Sequence, residues 1–319
     1  MMNLYHPPIM TDWQGRVDAR ENEYFYQVVK SLDLAHNEIN ALKGFALLGF
    51  ECDLGVRRNL GRPGAEAGAH AIKQVLAALP MQKIISIYDA GSIIADDDLA
   101  AAQIELGVCI EMILALGLQP IVLGGGHETA WGHYQGLAKY LQQEPLNIVN
   151  FDAHFDLRDI PADNIGTSGT SFRQIALDRQ QNKLDFNYYC LGIQQTSNTK
   201  YLFEIAKQLN THILLAAEIY KHGTLAIEKF LAPVLYANTP VYLSICLDVF
   251  AACFAPGVSA PQALGLQPWQ VISALEQLAA SSKVISIDIV ELAPNYDIDH
   301  RTAKLAAQLL SIFMHHKIY

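Results

Sequence analysis

Asn150-Phe151-Asp152-Ala153-His154-Phe155-Asp156-Leu157-Arg158 stands at the end of a mainly apolar run, residues 146–149. A short run of this kind reads as a buried strand. Side chains alternate along a strand, so Asp152, His154 and Asp156 are expected on one face. Two carboxylates and an imidazole in one small volume cost Coulomb and desolvation energy, which a divalent cation offsets. A solvated strand end with an incidental histidine has the same local spelling, so the rest of the chain has to decide.

Outward from this stretch, short apolar or β-branched runs recur at 45–50, 84–88, 119–123, 147–151, 187–192, 212–216, 241–247 and 284–289. Between them lie segments of helical character at 67–78, 100–116, 129–141, 199–208, 225–236, 268–280 and 301–313. Strand and helix alternating at this spacing predict a parallel sheet of about eight strands with helices on both faces, a three-layer α/β/α fold. No linker rich in Pro, Gly or Ser interrupts the alternation, so residues 44–319 are expected to form one domain. Residues 1–43 are more polar, with Tyr24, Val28, Leu32 and Leu34 as a loosely amphipathic set, and read as a lead-in packed on that core.

With 319 residues, 51% of them hydrophobic, the chain can bury a large core. The net charge is −10, and no basic cluster is suited to tracking a phosphate backbone, which argues against nucleic acid. Five scattered cysteines, at 52, 109, 190, 246 and 253, do not look like a secreted disulfide framework. Neither a signal-peptide core nor a membrane-length apolar run is seen. A cytoplasmic enzyme without membrane partners is the expectation.

Ligands of such sheets sit beyond the carboxyl ends of the strands. Gly124-Gly125-Gly126-His127-Glu128 follows one strand, and its glycines allow a tight turn that carries His127 to the head of the next helix. Alone, this reads more readily as an ordinary strand-to-helix turn with a solvated histidine. Ser244-Ile245-Cys246-Leu247-Asp248 and Asp288-Ile289-Val290-Glu291 close two further strands. Four strand ends with acidic, histidine or thiol groups are harder to dismiss than one. His133 reads as a packing or surface residue, Asp288 as an inward or capping carboxylate at least as readily as a site group, and His315-His316-Lys317 as a solvated tail. Residues 251–260, with Pro256 and Gly257, read as an ordered loop beside the site.

From Asp53 to Pro294 the sequence resembles the ureohydrolase superfamily of arginase and agmatinase, most closely the formimidoylglutamases. The marks are Asp53-Leu54-Gly55-Val56, Gly61-Arg62-Pro63-Gly64-Ala65, the histidine turn, the stretch 150–158, Ser168-Gly169-Thr170-Ser171-Phe172-Arg173, Ser244 to Asp248, Phe254-Ala255-Pro256-Gly257-Val258-Ser259-Ala260, and Glu291. The resemblance implies two Mn²⁺ per subunit: His127, Asp152 and Asp156 on one ion, His154 and Asp248 on the other, Asp152 bridging. It also implies a small-molecule substrate and makes a homo-oligomer plausible. Two positions depart from arginases. Cys246 replaces a second bridging aspartate, and a soft thiol suits zinc, iron or cobalt better than Mn²⁺; it reads equally as a small buried hydrophobe. Ser168 stands where arginases and agmatinases carry a histidine, a feature that formimidoylglutamases share.

The implied reaction is hydrolysis of N-formimidoyl-L-glutamate to L-glutamate and formamide, a step of histidine degradation. A divalent metal lowers the pKa of bound water towards ~7 and so supplies hydroxide. Asp156 is the expected general acid/base. Glu291 is expected to pair with the cationic formimino group. Arg158 suits bidentate capture of a substrate carboxylate, with Arg173 a weaker candidate for the second or a fastener of its loop. Other readings are a urea-releasing relative acting on guanidinobutyrate, agmatine or arginine, a single-metal deacylase, and a metal-free scaffold.

Overall fold

The computed structural model describes residues 2–36, 41–95, 97–142 and 144–318. Met1 and residues 37–40 of the expected lead-in lie outside them. Among the described residues one ten-stranded sheet forms from β1 (Tyr5–His6), β2 (Val29–Ser31), β3 (Phe45–Glu51), β4 (Ile87–Ile94), β5 (Gln119–Leu123), β6 (Asn147–Phe151), β7 (Asn187–Ile193), β8 (His212–Leu215), β9 (Val241–Cys246) and β10 (Val284–Val290). The order is β1-β4-β3-β5-β10-β9-β6-β7-β8, with β2 also on β4. Only β1 runs antiparallel to its neighbour.

Both faces are covered because every long strand is apolar on both sides. Phe45 and Leu47 of β3 point to one cluster, with Ile72 and Leu76 of the helix Gly68–Ala77 and Leu309 and Phe313 of Arg301–His316. Ala46, Leu48 and Phe50 point to the other, with Leu106 and Ile110 of Leu99–Ala115 and Tyr134 and Leu137 of Thr129–Tyr140. Burying one such Leu or Phe contributes roughly 1.5–3 kcal/mol. The result is the expected three-layer α/β/α sandwich.

The sheet holds more strands than the expected eight because β1 and β2, two and three residues long, are too short to show a period in the sequence. They are held by pairing to β4 and by a buried polar anchor. Asp89 of β4 accepts from Trp13 Nε1 (2.7 Å) and Lys73 Nζ (2.8 Å). β4 itself begins later than the run at 84–88 suggests, since Ile84 is exposed and register with β3 starts at Ile87. The helix Ser171–Gln181 was not evident, because only one polar-flanked face, with Phe172, Ile175 and Ala176, is buried. Nor is the tail solvated throughout: Lys317 is buried and donates to Val284 O. All five cysteines are free, and among the described residues no helix is long and apolar enough to cross a membrane.

Candidate active site

Four neighbouring strands, β5-β10-β9-β6, carry the chemical residues at their carboxyl ends. The chain passes from β5 to β6 across the gap that β9 and β10 later fill, so the crevice lies where the strand order switches. Beyond β5, Gly124 and Gly125 have φ of +79° and +75°. A Cβ on Gly124 would lie 2.4 Å from the backbone N of Ala69, so the turn admits no side chain there. That turn sets His127 just before the helix Thr129–Tyr140.

Strand alternation is not what unites Asp152, His154 and Asp156. β6 stops at Phe151, and the three residues lie on the loop beyond it, with Asp156 at φ +50°. Glu291, one residue past β10, is likewise left-handed at φ +71°. Non-glycine residues held in this region cost about 1–3 kcal/mol each and gather at functional sites.

The side chains nevertheless converge. His127 Nδ1 lies 2.9 Å from Asp152 Oδ2 and 2.8 Å from Asp156 Oδ2. His154 Nδ1 lies 3.0 Å from Asp248 Oδ2 and 3.5 Å from Asp152 Oδ1. The two oxygens of Asp152 therefore face two different histidines. Cys246 joins His127 and Asp152 in one potential ligand group, and Asp152, His154 and Asp248 form another. Despite its short contacts, the buried His127 Nδ1 lacks hydrogen-bond alignment to any partner among the described residues, as does Asp248 Oδ1. Lone pairs that converge without hydrogen-bond alignment are what a cation site requires, so the donor set fits divalent metal.

Electrostatics agree. Burial opposes a charge on His127, but Asp152 and Asp156 hold its pKa well above the imidazole range; Asp248 and Asp152 do the same for His154 against the same burial. Burial pushes the Asp156 carboxyl up, reinforced by Asp152. Burial works upward on Asp152 too, yet the two histidines bring it below the usual range. Burial, then the surrounding carboxylates, raise the Cys246 thiol. Burial with Asp248 and Glu128 lifts Glu291 to about 8.

A second layer fixes the orientation of His127. Ser244 Oγ donates to Asp288 Oδ1 (2.6 Å), so it accepts from His127 Nε2 (2.9 Å), which keeps a proton on Nε2 and leaves Nδ1 as the nitrogen turned toward the carboxylates and available to a cation. Asp288 is itself held by Tyr242 and by His133 Nδ1 at 2.8 Å. Ser171 Oγ donates to His127 O (2.7 Å) and Glu291 Oε1 accepts from His127 N (2.9 Å). His133, expected as a packing or surface residue, and Asp288, expected as an inward or capping carboxylate at least as often as a site group, thus stand behind Ser244 in one hydrogen-bond chain. The Asp288 carboxylate at the alternate strand position to Val290 was the available signal.

The cluster forms the floor of a cavity of about 310 Å³. Glu291, Cys246 and Ser168 line it, as does Arg158, whose guanidinium has no ion-pair partner among the described residues. Arg173 does not line it: this residue is half-buried near the start of its helix, its backbone N–H directed to Asp156 O at 3.3 Å. Asn59 and Arg62, which sequence reasoning left without a role, also line the cavity. Glu128 lies behind the floor, accepting from Gly55 N at 2.9 Å, its other oxygen without a partner among the described residues.

A three-layer sandwich with a carboxylate and histidine cluster at adjacent strand ends is the architecture of a metal-dependent hydrolase. Residues 43–315 match the sequence model of the Arginase family, and the chain belongs to that family. It is 42% identical over 311 residues to a formimidoylglutamase of Legionella pneumophila (strain Paris), covering 97% of both chains. Among solved structures it is similar to formimidoylglutamase from Bacillus subtilis subsp. subtilis str. 168, with a TM-score of 0.82, 24% identity and 94% of each chain covered. It is also similar to Trypanosoma cruzi formiminoglutamase, solved with Mn²⁺, with a TM-score of 0.78, 24% identity, and 86% and 93% covered.

Proposed function

We infer that this chain hydrolyses N-formimidoyl-L-glutamate to L-glutamate and formamide. The observation that carries the reading is one cavity with a metal-fitting cluster as its floor and, on its wall, Arg158, which has no ion-pair partner among the described residues. Full-length likeness to formimidoylglutamases supports it.

His127, Asp152, Asp156 and Cys246 would hold one cation, and Asp152, His154 and Asp248 the other. Mn²⁺ suits the oxygen-rich donors and accompanies the Trypanosoma cruzi relative. Bound there, the cations would supply the Lewis acidity that makes water a competent nucleophile at neutral pH. Glu291, anchored by one oxygen on His127 N, offers the other to the cationic formimino group. Asp156, as general acid/base, carries the proton that the departing amine needs. Arg158 binds a carboxylate of the glutamate moiety as a planar fork. Ser168, in place of an imidazole, leaves proton transfer to Asp156.

The test is product formation by protein stripped with chelator and reloaded with Mn²⁺, on N-formimidoyl-L-glutamate beside agmatine, arginine and guanidinobutyrate. Metal-dependent formamide and glutamate from the first compound alone is the expected result. Urea from any of the others refutes the assignment.

A further inference from the structure

We propose that Arg62 binds the second carboxylate of the substrate, the one Arg158 does not take. The proposal rests on the dicarboxylate reading above. With the cationic formimino end at Glu291 and the cluster, both carboxylates of the substrate have to face the remaining walls. Of the residues lining the cavity, Arg62 and Arg158 carry the permanent positive charges, whereas Arg173 lies outside the lining.

Arg62 is built to receive an anion. Its Nε donates to Ser259 O (2.9 Å), its Nη2 to Val258 O, and its backbone N–H to Ser259 Oγ (2.8 Å). The guanidinium lies over the Tyr296 ring, 4.1 Å from the centroid. Every acceptor is neutral, so the exposed group is held in place without a carboxylate partner, and Nη1 has no hydrogen-bond partner among the described residues. Nearby carboxylates are committed elsewhere. Asp53 accepts from Arg57 Nε (2.7 Å) and Gly64 N (2.6 Å), and Glu66 pairs with Arg57. A guanidinium fixed in advance loses little freedom on taking a carboxylate, which favours tight and geometrically selective binding.

The competing role for these contacts is purely structural, a staple between the segment holding Arg62 and the loop at Val258 and Ser259. Substrates can separate the two. Steady-state kinetics of the full-length Mn²⁺-loaded protein would be measured on N-formimidoyl-L-glutamate and on two truncated analogues. N-formimidoyl-4-aminobutyrate lacks the α-carboxylate, and N-formimidoyl-L-2-aminobutyrate lacks the γ-carboxylate. Arg62→Ala is expected to raise KM for the parent compound about ten- to a hundredfold, more than it lowers kcat. For one analogue, the one missing the carboxylate that Arg62 holds, the same substitution should change little. Arg62→Lys should recover part of the loss. An equal fall in kcat/KM on all three compounds overturns the proposal and leaves the staple. Wild-type protein that ignores all three compounds but releases urea from guanidinobutyrate refutes the substrate reading itself, a failure seen before any variant is made.

Discussion

Replacing Ser244 by alanine removes the only acceptor of His127 Nε2–H among the described residues. In the metal-free protein the ring can answer by giving up its Nε2 proton and keeping the one on Nδ1, where Asp152 and Asp156 stand at 2.9 and 2.8 Å. In the loaded protein Nδ1 must give its lone pair to the cation, and the N–H stays on Nε2, buried and orphaned. A buried donor without a partner costs about 1–3 kcal/mol, so the penalty falls on the loaded state and lowers Mn²⁺ affinity roughly ten- to a hundredfold. Outer partners of metal-bound histidines act on this scale. The assay is Mn²⁺ titration of chelator-stripped protein, with thermal unfolding of the metal-free form beside it. Ser244→Thr, which keeps the hydroxyl, should bind metal more tightly than the alanine variant. Unchanged affinity in Ser244→Ala together with a lower metal-free Tm refutes the reasoning, because Ser244 would then serve packing alone.

Arg158→Ala should raise KM for N-formimidoyl-L-glutamate at least tenfold with a smaller effect on kcat; an unchanged KM removes Arg158 from substrate binding. Cys246→Asp exchanges a soft donor for a hard one and should favour Mn²⁺ over Zn²⁺ and Co²⁺ in competition titrations, whereas unaltered selectivity means that the thiol does not ligate. Glu128 is raised by burial from 4.5 to about 7, so its stabilising neutral form is fully present below pH 4.5 and lost as pH climbs through 7. Glu128→Gln cannot ionise, and in the metal-free protein it should gain about 3 kcal/mol on wild type between pH 4.5 and 8, read from urea unfolding at each pH. A pH-independent difference between the two proteins counts against a buried, titrating Glu128.

Much of the sheet could be read directly. β5 and β6 occupy the expected 119–123 and 147–151, because both are buried on each face and end in abrupt polar or glycine signals. The site was legible as residue types at strand ends, although its geometry was not. Asp152, His154 and Asp156 meet through a loop with a left-handed aspartate, a conformation that no alternation rule yields. Arg62 was visible within Gly61-Arg62-Pro63-Gly64, but its place depends on Ser259, nearly two hundred residues away. β1 and β2 needed β4 before they could be strands, and Lys317 needed the carbonyl of Val284 before a polar tail could be buried. In each case the missing information is a partner distant in sequence, where local propensity has nothing to report.

The placement of β10 between β5 and β9 has a consequence for how the molecule comes into being. During synthesis, β5 and β9 emerge well before residues 284–290, and until then each has an open edge of unpaired backbone. The sheet can therefore grow as two halves, one around β3, β4 and β5 and one around β6, β7, β8 and β9, and the insertion of β10 joins them. His127 belongs to the first half, Asp152, His154 and Asp248 to the second, and Glu291 to the strand that joins them. Asp152, His154 and Asp248 can thus meet within one half, whereas bringing His127 and Glu291 to them requires the long-range pairing of β10 with both halves.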